Sequence, residues 1–122
     1  MKISIVTITF NSEKTMHDTF ESVLSQSYRP LQYIIVDGLS TDNTMSVVKE
    51  YADRFAEKGI EYIYHSEKDN GISDAFNKGI QQADGDIIGI INSDDLLADN
   101  ALEILAREYE EGISVYYGNC II

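Results

Sequence analysis

The hydrophobic pattern switches period repeatedly along the chain, and that switching constrains the fold more than any other feature. Four short runs rich in Ile and Val, "ISIVTITF" (3–10), "LQYIIVD" (31–37), "IEYIYH" (60–65) and "DIIGII" (86–91), read as strands. Between them apolar residues fall three and four apart: Met16, Phe20, Val23 and Leu24, then Val48, Tyr51, Ala52 and Phe55. The third stripe is the clearest, with Ile72, Ala75, Phe76, Gly79, Ile80 and Ala83 on one helical face. A fourth runs through Leu102, Leu105 and Tyr109, from a helix expected to start near Ala98. Strand and helix alternating at these lengths predict an α/β fold, a mostly parallel open sheet covered on both faces by right-handed crossovers. The last apolar stretch, "ISVYYGNCII" (113–122), reads as one more strand and leaves the sheet unfinished. The chain therefore reads as the first part of a longer protein, with an unpaired edge at Val115, Ile121 and Ile122 that invites self-association.

A chain of 122 residues with 43% hydrophobic composition supports one domain with one real core. Nine Lys and Arg against 21 Asp and Glu give a formal net charge of −12, which repels phosphate-rich polymers and excludes general nucleic-acid binding. A phosphorylated small molecule is compatible with that field if something positive offsets it, and a divalent cation is the simplest candidate. The single cysteine, Cys120, has no partner for an internal disulfide, so a reducing, cytoplasmic setting is expected. "MKISIVTI" (1–8) is too short and too polar for a signal-peptide core, and no other run is long enough to span a bilayer. His17 and His65 have no metal-spaced partners. No Gly-x-Gly-x-x-Gly or Walker loop is present, which counts against dinucleotide redox chemistry and P-loop phosphoryl transfer.

Ligands of open parallel sheets sit beyond the carboxyl ends of the strands. Three polar clusters fall there: Thr7, Thr9, Asn11 and Ser12 at the end of the first strand, "DGLSTDNT" (37–44) after the second, and "NSDD" (92–95) after the "DIIGII" strand. Ser12, Ser40, Thr41 and Asp42 are expected to act as helix caps. Asp37 follows "YIIV" directly and precedes Gly38, ahead of any cap, so ligand contact is expected there. If "NSDD" stays extended, Asn92 and Asp94 share one side while Ser93 and Asp95 point away. Asp94 is then the preferred cation ligand and Asp95 the alternative, since nucleotide-site Mg or Mn is held by one or two carboxylates with phosphates and water. Asp95 and Asp99 also suit a cap. Gly71 reads as a turn, with Ser73 or Asp74 at a helix start. Asp69 and Asp74 divide between turn chemistry and ligand contact, and amphipathicity alone puts Lys78 on a solvated face.

Taken together, "SIVTITFNSEKTMHDTFESVLSQSY", "IIVDGLSTDNT" and "DNGISDAFNKGIQQADGDIIGIINSDD" resemble, in order and spacing, the N-terminal part of a family 2 glycosyltransferase with the GT-A fold. The resemblance implies one Rossmann-like nucleotide-sugar-binding domain over residues 1–122. It implies a transferase that moves a sugar from a nucleotide diphosphate donor, most often UDP, to a saccharide or lipid-linked saccharide hydroxyl with inversion. It implies a divalent cation, Mn or Mg, held by Asp94, with Asp95 as the neighbouring acid, and a cytoplasmic location at the inner face of the membrane. Thr7 and Asp37 would contact the base. Phe10, Asn11, Gly38, Asp69, Asp74, Asn77, Lys78 and Ser93 would complete the donor site. Two positions depart from the family's pattern: Asn92 stands where an Asp is common, and Phe76 stands where many members carry Arg. The general base is expected beyond Ile122, so no catalytic residue is assigned within the chain. The variant "NGISDAFNKG" is similar to a subgroup that builds bacterial surface polysaccharides.

Overall fold

A computed structural model describes residues 2–68, 70–108 and 115–116. In chain order the elements are β1 (Ile3–Thr9), α1 (Met16–Leu24), β2 (Leu31–Asp37), α2 (Thr44–Glu50), α3 (Ala52–Glu57), β3 (Glu61–Ser66), α4 (Ile72–Gln82), β4 (Ile87–Asn92), α5 (Ala101–Glu108) and β5 (Val115–Tyr116). The strands lie in the order β3-β2-β1-β4-β5. Every described pairing is parallel, with Ile3 opposite Leu31 on one side and Ile87 on the other.

The α/β expectation holds, because strands covered on both sides need apolar residues on both faces. Ile3 and Ile5 of β1 join Tyr33 and Ile35 of β2 beneath α1, α2, α3 and α5, which contribute Phe20, Val48, Phe55 and Leu102. On the opposite face Val6, Ile34, Val36 and Ile90 pack under Ala75, Phe76 and Ile80 of α4. Gly79 sets how closely α4 approaches. A Cβ there would lie 2.4 Å from Cγ1 of Val6 and 3.3 Å from Cγ2 of Val36.

Three local expectations change. The second helical stripe is two short helices meeting at Tyr51, which keeps helical dihedrals (φ −76°, ψ −13°). The helix expected near Ala98 starts at Ala101, since residues 93–100 form an irregular loop. Of the final strand, Val115–Tyr116 pairs with Ile88 and Gly89 of β4. Tyr109, Cys120, Ile121 and Ile122 lie outside the described residues, as does the side chain of Val115.

Candidate functional site

The strand order reverses direction at β1, whose neighbours are β2 on one side and β4 on the other. The loops leaving β1 and β4 both lead to helices on the α1/α5 face, and a crevice opens between their carboxyl ends and the β3–α4 connection on the other face. A cavity of about 560 Å³ occupies that place. Ile8, Thr9, Phe10 and Ser12 line it from β1 and its following loop, and Asn92 and Ser93 from the end of β4. Gly38 closes one side, while Lys68 and Gly71 enter from the β3–α4 connection and Ala75 from the first turn of α4.

Asp37 organises the β2 side of this rim. It has no exposed surface. Its Oδ1 accepts from the Thr9 hydroxyl at 2.7 Å and the Ser40 hydroxyl at 2.5 Å. Its Oδ2 accepts from the Ser40 N–H and the Ser66 hydroxyl, both at 2.8 Å. One carboxylate thus ties the ends of β1 and β3 to the loop after β2. Asp37 stands under the rim as expected, but every bond it makes is internal, and its neighbour Gly38 is the residue that lines the cavity.

Thr7 requires a correction. It is fully buried, and its hydroxyl shares a 2.9 Å hydrogen bond with that of Tyr33 inside the core. Burial pushes the Tyr33 phenol above its ordinary range. Thr7 sits too far from the end of β1 to reach the lip, and Thr9 is the threonine that lines the cavity. Phe10 is 62% exposed on the rim, a costly position for a large apolar ring without an apolar partner. Asn11, at φ +48°, turns its amide oxygen to the Thr41 N–H at 2.8 Å, while its own N–H donates to the Ser40 hydroxyl at 2.8 Å. It fastens two loops and does not line the cavity.

The expected caps divide. Asp42 accepts from the Thr44 N–H at 2.9 Å, at the start of α2. Ser40 and Thr41 serve Asp37 and Asn11 instead. The Ser12 hydroxyl meets that of Ser93 at 2.9 Å, so a bridge joins the loops after β1 and β4 across the switch point. Asp74 accepts the Asn70 N–H at 2.9 Å, and this bond, followed by Lys78 at 3.2 Å, holds its carboxyl below the usual range. Lys78 also donates to the Lys68 carbonyl at 2.9 Å. Asp74 and Lys78 therefore shape the β3–α4 connection, and neither they nor Asn77 line the cavity. Asp69 lies outside the described residues.

The "NSDD" segment is not extended. The strand ends at Asn92, and the Asp95 N–H donates to the Asn92 carbonyl at 3.1 Å to close a turn. Asn92 and Asp94 therefore do not share a strand face. Ser93 turns inward to Ser12, the Asp95 carboxylate accepts from the Asn92 N–H at 3.3 Å, and Asp94 is exposed. Among the described residues Asp94 makes no hydrogen bond or ion pair, and no three His, Cys, Asp or Glu converge as a metal cage. One exposed, unbonded carboxylate next in the chain to the cavity-lining Ser93 still suits Mg or Mn, whose other ligands come from substrate and water. Asp95, committed to the turn, suits that role less well.

Sequence reasoning missed Lys68, the only charged side chain among the described lining residues, and the contacts of Thr19, Ser22 and Gln26 with residues 93–102. Lys68 had no signal, because a loop lysine is ordinarily a solvated one. The polar stripe beside the apolar face of α1 was a signal.

Comparison with known proteins agrees with this geometry. The chain is 30% identical over 121 residues to the GalNAc(5)-diNAcBac-PP-undecaprenol beta-1,3-glucosyltransferase of Campylobacter jejuni, covering 99% of this chain and 38% of that protein. It is 35% identical to the poly(ribitol-phosphate) beta-N-acetylglucosaminyltransferase TarP of Staphylococcus aureus, covering 93% of this chain and 34% of that one. The chain thus spans little more than a third of the length of these relatives. TarS of S. aureus, solved in complex with UDP-GlcNAc, superposes with a TM-score of 0.76 at 26% identity, over 88% of this chain and 30% of that one. The mannosyltransferase PcManGT of Pyrobaculum calidifontis, solved with GDP-Man and Mn2+, gives 0.74 at 25% identity, over 82% of this chain and 30% of that one. The family model for glycosyl transferase family 2 matches residues 4–122, and the chain is a member of that family with the sheet of the GT-A fold.

Proposed function

We propose that residues 1–122 form the donor-binding domain of a glycosyltransferase that takes a sugar from a nucleoside diphosphate, preferentially UDP, and passes it with inversion to a saccharide or lipid-linked saccharide hydroxyl. The observation that carries this reading is the cavity at the β1/β4 switch point, lined by the exposed Phe10 ring and by Ser93, whose chain neighbour Asp94 is an exposed, unbonded carboxylate. The Phe10 face offers a platform for the base, and Gly38 lets the backbone come close to it. Lys68 is the charged residue among the described lining residues, and it would supply the positive contact to the donor that an arginine at the Phe76 position supplies in many members of the family. Asp94 would hold Mn or Mg on the diphosphate, where the cation neutralises negative charge on the leaving nucleotide. The complexes of TarS with UDP-GlcNAc and of PcManGT with GDP-Man and Mn2+ support a nucleotide-sugar donor and a cation.

A general base must reach the acceptor hydroxyl, and no carboxylate lines the cavity among the described residues. The base is therefore proposed to come from sequence beyond Ile122. The same observation favours a second reading in which the 122 residues bind donor without turning it over. No helix of the described residues is long and apolar enough to cross a membrane, and a cytoplasmic site at the inner membrane face is proposed for the whole enzyme.

Calorimetry with UDP, GDP and dTDP, with and without manganese, tests the reading. UDP is expected to bind, with a manganese-dependent gain that Asp94→Asn removes while leaving thermal stability unchanged, because Asp94 is exposed and unbonded. Absence of binding by all three nucleotides under both conditions would overturn the donor-site assignment. Sugar transfer by the isolated 122 residues would overturn the placement of the base.

A further inference from the structure

Residues 93–100 have no strand or helix to satisfy their backbone, so partners must come from elsewhere. They come from one polar stripe that begins on α1. The Thr19 hydroxyl, fully buried, lies 3.0 Å from the Ser93 carbonyl and 2.6 Å from the Asp95 carbonyl. The Ser22 hydroxyl accepts the Leu97 N–H at 3.0 Å. Gln26, 2% exposed just beyond the helix, donates to the Ala98 carbonyl at 2.9 Å and accepts the Leu102 N–H at 3.3 Å. Thr19, Ser22 and Gln26 fall at i, i+3 and i+7, the spacing of one helical face.

The placement of Thr19 is the telling part. Its single hydroxyl spans the two carbonyls on either side of Asp94, and Asp94 itself has no bond among the described residues. The direction of the Asp94 side chain is then set by its backbone, which Thr19 anchors to α1 alongside the turn's own Asn92–Asp95 bonds and the Ser12–Ser93 bridge. We propose that Thr19 is a positioning residue, with Ser22 and Gln26 extending the clamp, and that it fixes the Ser93–Asp95 turn so that Asp94 meets the cation on the donor's diphosphate. This inference rests on the donor-site reading above. A hydroxyl that served folding alone would leave the cation-dependent part of nucleotide binding untouched.

The test compares wild type, Thr19→Val, Thr19→Ser and Val48→Ala, the last removing buried core volume from α2. Calorimetry with UDP is run in EDTA and in manganese, and thermal unfolding and amide exchange are followed for each. Thr19→Val is expected to lower the manganese-dependent gain about tenfold, the ratio that matches one hydrogen-bond-sized free energy, with EDTA affinity within about twofold. Exchange across 93–97 should rise in the same variant. Thr19→Ser should restore both, and Val48→Ala should lower Tm while keeping the wild-type gain. A wild-type gain that survives Thr19→Val overturns the positioning role and leaves the donor site standing. A wild type that binds UDP with no manganese-dependent gain overturns the cation role of Asp94 and this inference with it. Unchanged exchange across 93–97 in Thr19→Val overturns the clamp itself.

Discussion

Replacing Asp37 should separate the two things a carboxylate can do beneath a ligand rim. The side chain is fully buried and accepts four hydrogen bonds, from Thr9, Ser66 and both the N–H and hydroxyl of Ser40. In Asp37→Ala all four donors lose their acceptor. Water can reach Ser66 and the half-buried Ser40, but Thr9 is only 3% exposed. Hydrogen bonds to a charged group contribute about 1.5–3 kcal/mol each, so the loss of the Thr9 bond, which water does not replace, costs about 1.5–3 kcal/mol. At roughly 3–5 °C per kcal/mol for a domain of this length, Tm should fall by about 5–15 °C. Asp37→Asn behaves differently. Its remaining oxygen, placed where Oδ2 stands, still accepts from the Ser40 N–H and Ser66, and its NH2 faces two hydroxyls that can turn to accept. The expected cost is about 1 kcal/mol. Urea unfolding at matched m-values measures both. Equal costs for Ala and Asn, or an Ala cost below about 1 kcal/mol, would refute the reasoning that this carboxylate holds the rim together.

Gly79→Ala should destabilise by about 1–2 kcal/mol, since the clash with Val6 outweighs the better helix propensity of alanine; a gain in urea midpoint would refute the close approach of α4. Lys68→Gln should weaken UDP binding about tenfold while leaving uridine binding unchanged, and calorimetry showing equal loss for both would remove Lys68 from the diphosphate. The Glu21 carboxyl is held below its ordinary 4.5 by hydrogen bonds from Arg54 and then Tyr51. The stability this adds is complete above pH 4.5 and is lost as the pH falls through the lower folded value, so Glu21→Gln should flatten that acid limb of a Tm profile. Both partners are about half exposed, so the effect is small and should shrink further in salt.

The sheet was legible because β-branched runs and helical stripes differ in period, and β2 falls on residues 31–37 as read. The rim was legible in location and not in detail. In a sheet buried on both faces nearly every strand residue reads as buried, so sequence gave no sign that Thr7 lies below the lip beside Tyr33 while Thr9 reaches it. The strand-end rule found Asp37 without revealing that Thr9, Ser40 and Ser66 claim all its acceptors. Strand parity failed at Asn92 because a turn intervenes, stabilised by the bond from Asp95. The bonds from α1 to residues 93–102 join positions more than seventy residues apart, a separation that local periodicity does not address.

The central place of β1 has a consequence for how such a chain matures. Ile3 can pair with Leu31 soon after both have been synthesised, whereas its other partner, Ile87, is made far later. Pairings that close long loops form slowly. During translation the first three strands can assemble while the flank of β1 that will meet β4 stays open, an apolar edge in want of cover. The cavity between β1 and β4 is thus a late product of folding, and agents that shield a nascent strand edge should influence yield more than they influence the finished protein.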